Sequence, residues 1–368
     1  MKRTSTFSLA IGCALVAGCA SDPTSLDDAE ADIMSASTVT SGMSVVGNHL
    51  EKDGVIWKAH GFNMIGALSP AWCGQGNGIA AREHFGTPEL ENAITGWHAN
   101  AIRLQISQRG LEDPTLTAAQ RADYLAMVQT DVQLARSLGL VVILSMQDQG
   151  IGCGPVHPLP STQTIAAWKV LAPAFKNWRY VMFEMFNEPQ NQTRDAAWAQ
   201  WRDGGAAPLA NLGDKAVGFQ TLVATIRATG ANNVLLADGA LKAEHLDNIS
   251  SHLLADEPAG HGIAYAIHPY YFTPDQPYWE KSWGFLASSR ALIATEWNYL
   301  AADCGTPKET LAPKFLNWLD ANEIGITAHA FDYQNTLVSD WSFTPTRCGG
   351  AVGGAGQVLK TWFTQHAH

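Results

Sequence analysis

Two glutamates in this sequence each close an apolar run. Glu188 ends Tyr180-Val181-Met182-Phe183-Glu184-Met185-Phe186-Asn187-Glu188 and is followed by Pro189, and Glu296 ends Ala291-Leu292-Ile293-Ala294-Thr295-Glu296 just before Trp297. Runs of this length and composition read as buried strands, and a proline stops the ladder just past Glu188. Two carboxyl groups in one cleft can divide their roles, one donating a proton while the other stays ionised. Either glutamate alone could instead be structural, for example paired with Arg103. Alternation along the first run puts Glu184, Phe186 and Glu188 on one side and Asn187 on the other, until the strand frays.

Other residues could serve the same cleft. Arg103, within Asn100-Ala101-Ile102-Arg103-Leu104, can keep a carboxylate ionised and aimed, or form an ion pair beneath the cleft. Tyr270 can donate to that carboxylate or pack in the core. His268 can bridge the other carboxylate to a substrate hydroxyl or satisfy a backbone group. Asn187 can bind a hydroxyl or cap a loop.

The elements that must hold these groups alternate. From Val55 onward, short apolar runs are followed by longer stretches with helical patterning, which predicts a parallel sheet covered on both faces. Strands are expected near 56–63, 99–106, 140–146, 180–187, 233–238, 263–268, 291–296 and 324–333. The clearest helices are expected at 118–138, 162–176, 214–229 and 308–322, with Pro173 kinking or ending the second and a last helix near 356–366. Eight such units make a (β/α)8 TIM barrel, whose chemistry sits at the C-terminal strand ends. An open doubly wound sheet is disfavoured because no Gly-rich dinucleotide turn follows the first strand. Val45 to Trp57 reads as a short hairpin turning at Asp53-Gly54, placed to close the barrel floor.

The N-terminus is read separately. Lys2 and Arg3 precede an apolar stretch from Phe7 to Val16, the layout of an export signal. It ends Val16-Ala17-Gly18-Cys19, which resembles a bacterial lipobox with Cys19 as the lipidated residue; the alternative is a signal peptide with an incidental cysteine. Residues 1–18 are thus expected to be a lipoprotein signal peptide, 19–44 an acidic Ser/Thr-rich tether and 45–368 the barrel. Ala20 and Ser21 lack the acidic residue that commonly retains such proteins at the inner membrane, so the expected address is the outer membrane or cell surface. Loss of Lys2 and Arg3 takes the formal net charge from −11 to −13, and with no Lys/Arg run this argues against a nucleic-acid partner. The membrane is touched only through the lipid, and the protein is expected to be a monomer.

Four cysteines remain beyond Cys13 and Cys19, which in an exported chain suggests two disulfides with three possible pairings. Cys304 and Cys348 follow neighbouring strands seven and eight, while Cys73 and Cys153 follow strands one and three. The expected pairs are therefore Cys304–Cys348 and Cys73–Cys153.

Four of these elements together resemble one family. Phe186-Asn187-Glu188-Pro189 resembles the strand-four Asn-Glu-Pro motif of the cellulase-type glycoside hydrolases, family 5 of clan A. Arg103 resembles that family's strand-two arginine, His268-Pro269-Tyr270 its His-x-Tyr pattern, and Thr295-Glu296-Trp297 its strand-seven nucleophile. The resemblance spans the chain from about Val55 to the C-terminus. It implies that Glu188 is the general acid/base and Glu296 the nucleophile of a retaining glycosidase, with carboxyl groups about 5–5.5 Å apart. No metal or organic cofactor is implied, and the histidines and aspartates form no recognisable ligand run.

Two strands depart from the pattern. Strand three has Gln147 where the family usually has a histidine; it either binds sugar or is structural. Strand eight, usually the source of a tryptophan floor, reads His329-Ala330-Phe331-Asp332-Tyr333-Gln334-Asn335. Phe331, Tyr333 or Trp341 could replace the platform, and Asp332 could hold a sugar hydroxyl or cap a loop. Of the 13 tryptophans, Trp72, Trp297 and Trp341 fall in the upper loops, where flat rings would meet the apolar faces of sugars, whereas Trp168 and Trp178 read as helix-packing residues. The expected substrate is a β-linked polysaccharide, by default a β-1,4-glucan cut internally. β-Mannan, β-1,3-glucan and transglycosylation remain open, as does a non-catalytic polysaccharide-binding protein on the same barrel.

Overall fold

The computed structural model describes residues 41–68, 85–148, 156–205, 215–273 and 275–367. The candidate lipidation site Cys19, the rim residue Trp72 and the expected pair Cys73–Cys153 lie outside the described residues.

The described chain begins with a three-stranded antiparallel meander, β1 (Met43–Val46), β2 (His49–Lys52) and β3 (Val55–Ile56). Asp53 and Gly54 both have positive φ, at 55° and 77°, which is the backbone a two-residue turn between twisted strands requires. The hairpin expected from Val45 thus gains a strand on its N-terminal side. Met43 is buried, and its amide donates to the Arg179 carbonyl, so the meander packs against the barrel from Met43 onward.

Eight parallel strands then close a barrel in chain order: β4 (His60–Met64), β5 (Ala101–Ser107), β6 (Val141–Gln147), β7 (Val181–Glu184), β8 (Leu235–Asp238), β9 (Ile263–Ile267), β10 (Leu292–Ala294) and β11 (Gly325–Ala328), with β11 pairing back onto β4. The order is the one the alternating pattern predicts. Helices Ala118–Ser137, Thr162–Phe175, Phe219–Arg227, Pro307–Ala321 and Gly356–Gln365 are among those packed around it. The first two start at capping boxes built on Thr117 and Ser161, and Pro173, which offers no N–H to the carbonyl four residues back, lies inside the second helix two residues before its end. Among the described residues no helix is long and apolar enough to cross a membrane.

Period-two alternation sends every strand's side chains to two places. One set, including Ile102, Leu104, Val142, Leu144, Phe183 and Leu235, packs outward with Val132, Trp168, Phe219, Phe315 and Phe363 in the main core. The other set points inward. In the lower half of the barrel it is apolar: Ala101, Val141, Ile143, Met182, Leu236, Ala266 and Ile293, sealed below by Met43, Leu50 and Trp57. Space is tight there, because a Cβ at Gly61 would lie 2.4 Å from the Ala101 carbonyl oxygen and one at Gly325 would lie 2.2 Å from the Ala59 nitrogen.

Several strands stop earlier than the apolar runs suggest. β7 ends at Glu184, β10 at Ala294 and β11 at Ala328, and the first expected strand divides into β3 and β4. The face assignment around Glu188 changes with this. Beyond Glu184 the alternation fails: Phe186 turns outward into the main core, and Asn187 turns inward to Arg103.

Candidate active site

Arg103 is the centre of the upper barrel. It projects from β5 into the interior, is fully buried, and places all of its N–H groups on named acceptors. Nε donates to Glu184 Oε2 at 2.5 Å, Nη1 to Asn63 Oδ1 and to Glu296 Oε1, and Nη2 to Ser145 Oγ at 2.8 Å and Asn187 Oδ1 at 2.6 Å. These partners come from β7, β4, β6 and the loops after β10 and β7. Burial alone would lower the guanidinium pKa, but the charges of Glu184 and Glu296 outweigh it and raise it above its usual value. The same pairing draws Glu184 far below the ordinary carboxylate range despite its burial.

Glu296 stands just past β10 and is almost wholly buried. Oε1 accepts from Arg103 and, at 3.1 Å, from Gln105 Nε2, while Oε2 accepts from the Tyr270 hydroxyl at 2.9 Å. Burial pushes its pKa up; the charges of His268 and Arg103, with the Tyr270 hydrogen bond, win and hold it at about 2. Burial and then the charge of Glu296 raise the Tyr270 phenol well above its usual value, so it stays a donor.

Glu188 is more open, with 21% of its side chain exposed. It takes φ 52°, a left-handed backbone that is rare and costly outside glycine. Its amide donates to Asp238 Oδ2 at 2.9 Å. The loop beyond is tied to a second left-handed stretch, Leu241 to Ala243, through Lys242 N to the Pro189 carbonyl at 2.8 Å. His268 N in turn donates to the Ala243 carbonyl at 2.8 Å, so one turn braces both loops.

His268 lies between the two carboxylates. Nδ1 is 3.2 Å from Glu188 Oε1 and 3.9 Å from Glu296 Oε2, and Nε2 is 3.1 Å from Thr295 Oγ1. Burial would depress its pKa, but the charge of Glu296, the nearby Glu184 carboxylate and the hydrogen bond to Glu188 raise it well above the usual value. An oxygen of Glu188, an oxygen of Glu296 and a ring nitrogen of His268 all lie within 4.8 Å of one another. The same holds for Glu184, Asp238 and His268. Either trio could in principle reach one ion, although in each case the charge of Arg103 and His268 already answers the carboxylates.

Other residues singled out from sequence fall elsewhere. Gln147 is buried and donates to Ser145 Oγ at 2.9 Å, so its amide supports the Arg103 network. Trp297 corrects an expectation: its side chain is fully buried and its ring stacks on Phe315 at 6.1 Å and meets Phe272 at 5.7 Å, outside the barrel. It follows Glu296 on the opposite side of the chain and has no face left for a sugar. Asp332 resolves toward loop capping, accepting the amides of Ile65 and Gly66 at 2.9 Å each; burial, against these donors, raises it to about 7. Phe331 is buried between Phe62 and Phe343, and Tyr333 packs beside Ile65 and Leu68. Trp341 is half-buried in the loop after β11. Cys304 and Cys348 form the expected disulfide.

Sequence reading missed four contributors. Gln105 touches Glu296, and Asn63 accepts from both Arg103 and Gln105. Asp238 holds the Glu188 amide. His329 carries the inward alternation of β11 past Thr327, with Nδ1 3.4 Å from Gln105 Nε2 and 3.9 Å from Glu296 Oε2. Gln105, Asp238 and His329 each lie two residues from another inward side chain, and Asn63 two residues from the inward Gly61, so the strand period is the available signal.

Comparison with known proteins meets this geometry directly. The model of the cellulase family, glycosyl hydrolase family 5, matches residues 58–335, three quarters of the chain. The chain belongs to glycosyl hydrolase family 5. It is a retaining glycoside hydrolase. Solved structures share its fold: the β-glucanase SdGluc5_26A from Saccharophagus degradans superposes with a TM-score of 0.67 at 22% identity, covering 92% of this chain and 99% of that one. An endocellulase from Pyrococcus horikoshii in complex with cellotetraose gives 0.63 at 16% identity, covering 89% and 100%. No curated protein matches this chain significantly.

Proposed function

We propose that this family 5 enzyme hydrolyses a β-linked glucan, by default a β-1,4-glucan cut internally, with Glu188 as acid/base and Glu296 as nucleophile. The observation that carries the mechanism is that one oxygen of Glu188 and one of Glu296 lie within 4.8 Å of each other, with His268 between them. So close an approach suits the retaining separation of about 5–5.5 Å better than the separation of about 6.5–9.5 Å in inverting enzymes, which admit a water between the groups. A glucan is supported by the similarity to a β-glucanase and to an endocellulase that binds cellotetraose.

The chemistry follows from the two environments. Glu188 gives its proton to the glycosidic oxygen as that bond breaks, and Glu296 Oε2 bonds to the anomeric carbon, forming an ester. Arg103, Gln105 and Tyr270 keep Glu296 ionised and aimed beforehand. Glu188, now ionised beside His268, takes a proton from water as the water attacks the anomeric carbon, and Glu296 leaves as carboxylate. Asn187, fixed by Arg103, and His329 border the carboxylates from which the sugar hydroxyls would be held. Export and anchoring through Cys19 belong to the same proposal and rest on residues 1–21 alone.

The test is a polysaccharide panel of β-1,4-glucan, β-1,3-glucan and β-mannan with product-size and anomer analysis, beside Glu188→Gln and Glu296→Gln. The expected products are internal fragments of β-1,4-glucan with retained configuration, and each variant should lose about 10³-fold or more in kcat. Inverted products, or full turnover by Glu296→Gln, would overturn the mechanism. Preference for mannan would overturn the substrate while leaving the mechanism intact.

A further inference from the structure

Beneath Glu188 lies a pair of carboxyl groups, with His268 Nε2 3.9 Å from an oxygen of Glu184 and 3.7 Å from an oxygen of Asp238, beyond hydrogen-bond distance of either. Glu184 and Asp238 are both fully buried, at the ends of neighbouring strands β7 and β8. Asp238 Oδ2 accepts the Glu188 amide, and Glu184 Oε2 accepts Arg103 Nε. The remaining oxygens, Asp238 Oδ1 and Glu184 Oε1, have no donor while both groups are ionised. Two unsatisfied acceptors on adjacent buried carboxyls are answered by a single proton between them.

We propose that Asp238 is a positioning residue for Glu188, acting as a neutral carboxylic acid whose Oδ1–H donates to Glu184 Oε1 while Oδ2 holds the Glu188 amide. Arg103 decides which of the two carries the proton. It binds Glu184 directly, leaving Asp238 as the acid. The charges facing Asp238 are divided: Glu184 on β7 favours the proton, while His268 after β9, with Nε2 at 3.7 Å, and Arg103 from β5 oppose it. Burial and the charge of Glu184 raise the Asp238 carboxyl well above its usual value, against His268 and Arg103.

A continuous buried chain of hydrogen bonds results. It runs from the Glu188 amide through Asp238 and Glu184 to Arg103, and from Arg103 Nη1 to Glu296. The backbone of one carboxylate is thereby referenced to the side chain of the other, and the left-handed φ of Glu188 is held against its intrinsic cost. Asparagine reproduces the neutral acid at this position, since its oxygen can accept the Glu188 amide and its NH2 can donate to Glu184.

The inference rests on Glu188 being the acid/base, and the experiment separates the two. Asp238→Asn should keep kcat/KM on the glucan within about threefold with an unchanged pH profile. Asp238→Ala leaves the Glu188 amide and Glu184 without partners, and kcat should fall by about 10- to 100-fold with KM little altered. On an aryl glycoside whose leaving group needs no protonation, the loss in kcat/KM, which reports the first step alone, should shrink sharply. Infrared difference spectra between wild type and Asp238→Asn should show loss of a protonated carboxylic-acid C=O band; this readout needs no turnover and holds even if Glu188→Gln proves active. Absence of the band, an Asp238→Asn variant as impaired as Asp238→Ala, or an equal loss on both substrate types would each overturn the proposal.

Discussion

The two halves of the barrel interior use the same strands to opposite ends. In the lower half the inward side chains are Ala101, Ile143, Met182, Leu236, Ala266 and Ile293; two residues further along, the same strands present Arg103, Ser145, Glu184, Asp238, His268 and Thr295. Both layers are buried. The lower one is held by close packing of apolar groups, which have no orientation to satisfy. The upper one is held by hydrogen bonds from a central guanidinium, so each member fixes the angle as well as the place of its neighbours. Stability should therefore be shared between the layers, whereas pH response should belong to the upper one alone.

The largest effect is expected from Arg103→Met. It fills similar volume but leaves Glu184 and Glu296 buried without their cation, a change that costs about 3–5 kcal/mol when one partner of a buried pair is removed. Activity should fall below detection. The pH dependence of stability should also flatten. In the wild type Glu296 is depressed to about 2, so its contribution is present above the unfolded carboxylate range and is lost as pH falls toward that value. Without Arg103 the two carboxyls rise, opposed only by His268 and, for Glu296, Tyr270, so the stability that the wild type holds above the unfolded carboxylate range should shrink. Thermal melts of both proteins across pH check this; parallel curves would show that the guanidinium does not govern the upper layer.

Ile143→Ala probes the other half. Its fully buried side chain lies one inward step below Ser145, and truncation should cost about 2–5 kcal/mol through lost burial and a cavity. Urea denaturation should show this loss. The pH profile of kcat/KM should not move, because no titrating group is touched. A shifted profile would mean that the layers are mechanically coupled, contrary to the contrast drawn between them.

This division also explains what could be read from the sequence. Apolar runs and helical stretches suffice for eight strands and their order, because burial on both faces leaves a one-dimensional mark. The polar layer leaves a fainter one. Arg103, His268 and Tyr270 were found through motifs, while Gln105, Asn63, Asp238 and His329 carried only the strand period. Phe186 and Asn187 exchange sides because β7 ends at Glu184, and nothing in an apolar run marks where its hydrogen-bond ladder stops. Trp297 misleads for a related reason: a large ring beside a catalytic-type glutamate reads as a sugar platform, yet Phe272 and Phe315 from distant segments enclose it. Those partners are set by tertiary packing, which local sequence does not encode.

The smallest and most diagnostic change is Tyr270→Phe. It removes one hydrogen bond to Glu296 Oε2 and leaves Arg103 and Gln105 on Oε1, so the carboxylate keeps its place but loses one donor to its charged form. Removing such a donor raises the carboxyl pKa, by about one unit for a bond worth roughly 1.4 kcal/mol. The acid limb of kcat/KM should therefore move to higher pH, and kcat/KM at neutral pH should fall about tenfold through poorer aim of the nucleophile, a loss of roughly 1.4 kcal/mol. Stability should change by no more than about 1 kcal/mol, since the ring stays in place. A limb that stays put while the rate falls would assign Tyr270 to sugar positioning, and would leave Arg103 and His268 as the groups that keep Glu296 ionised.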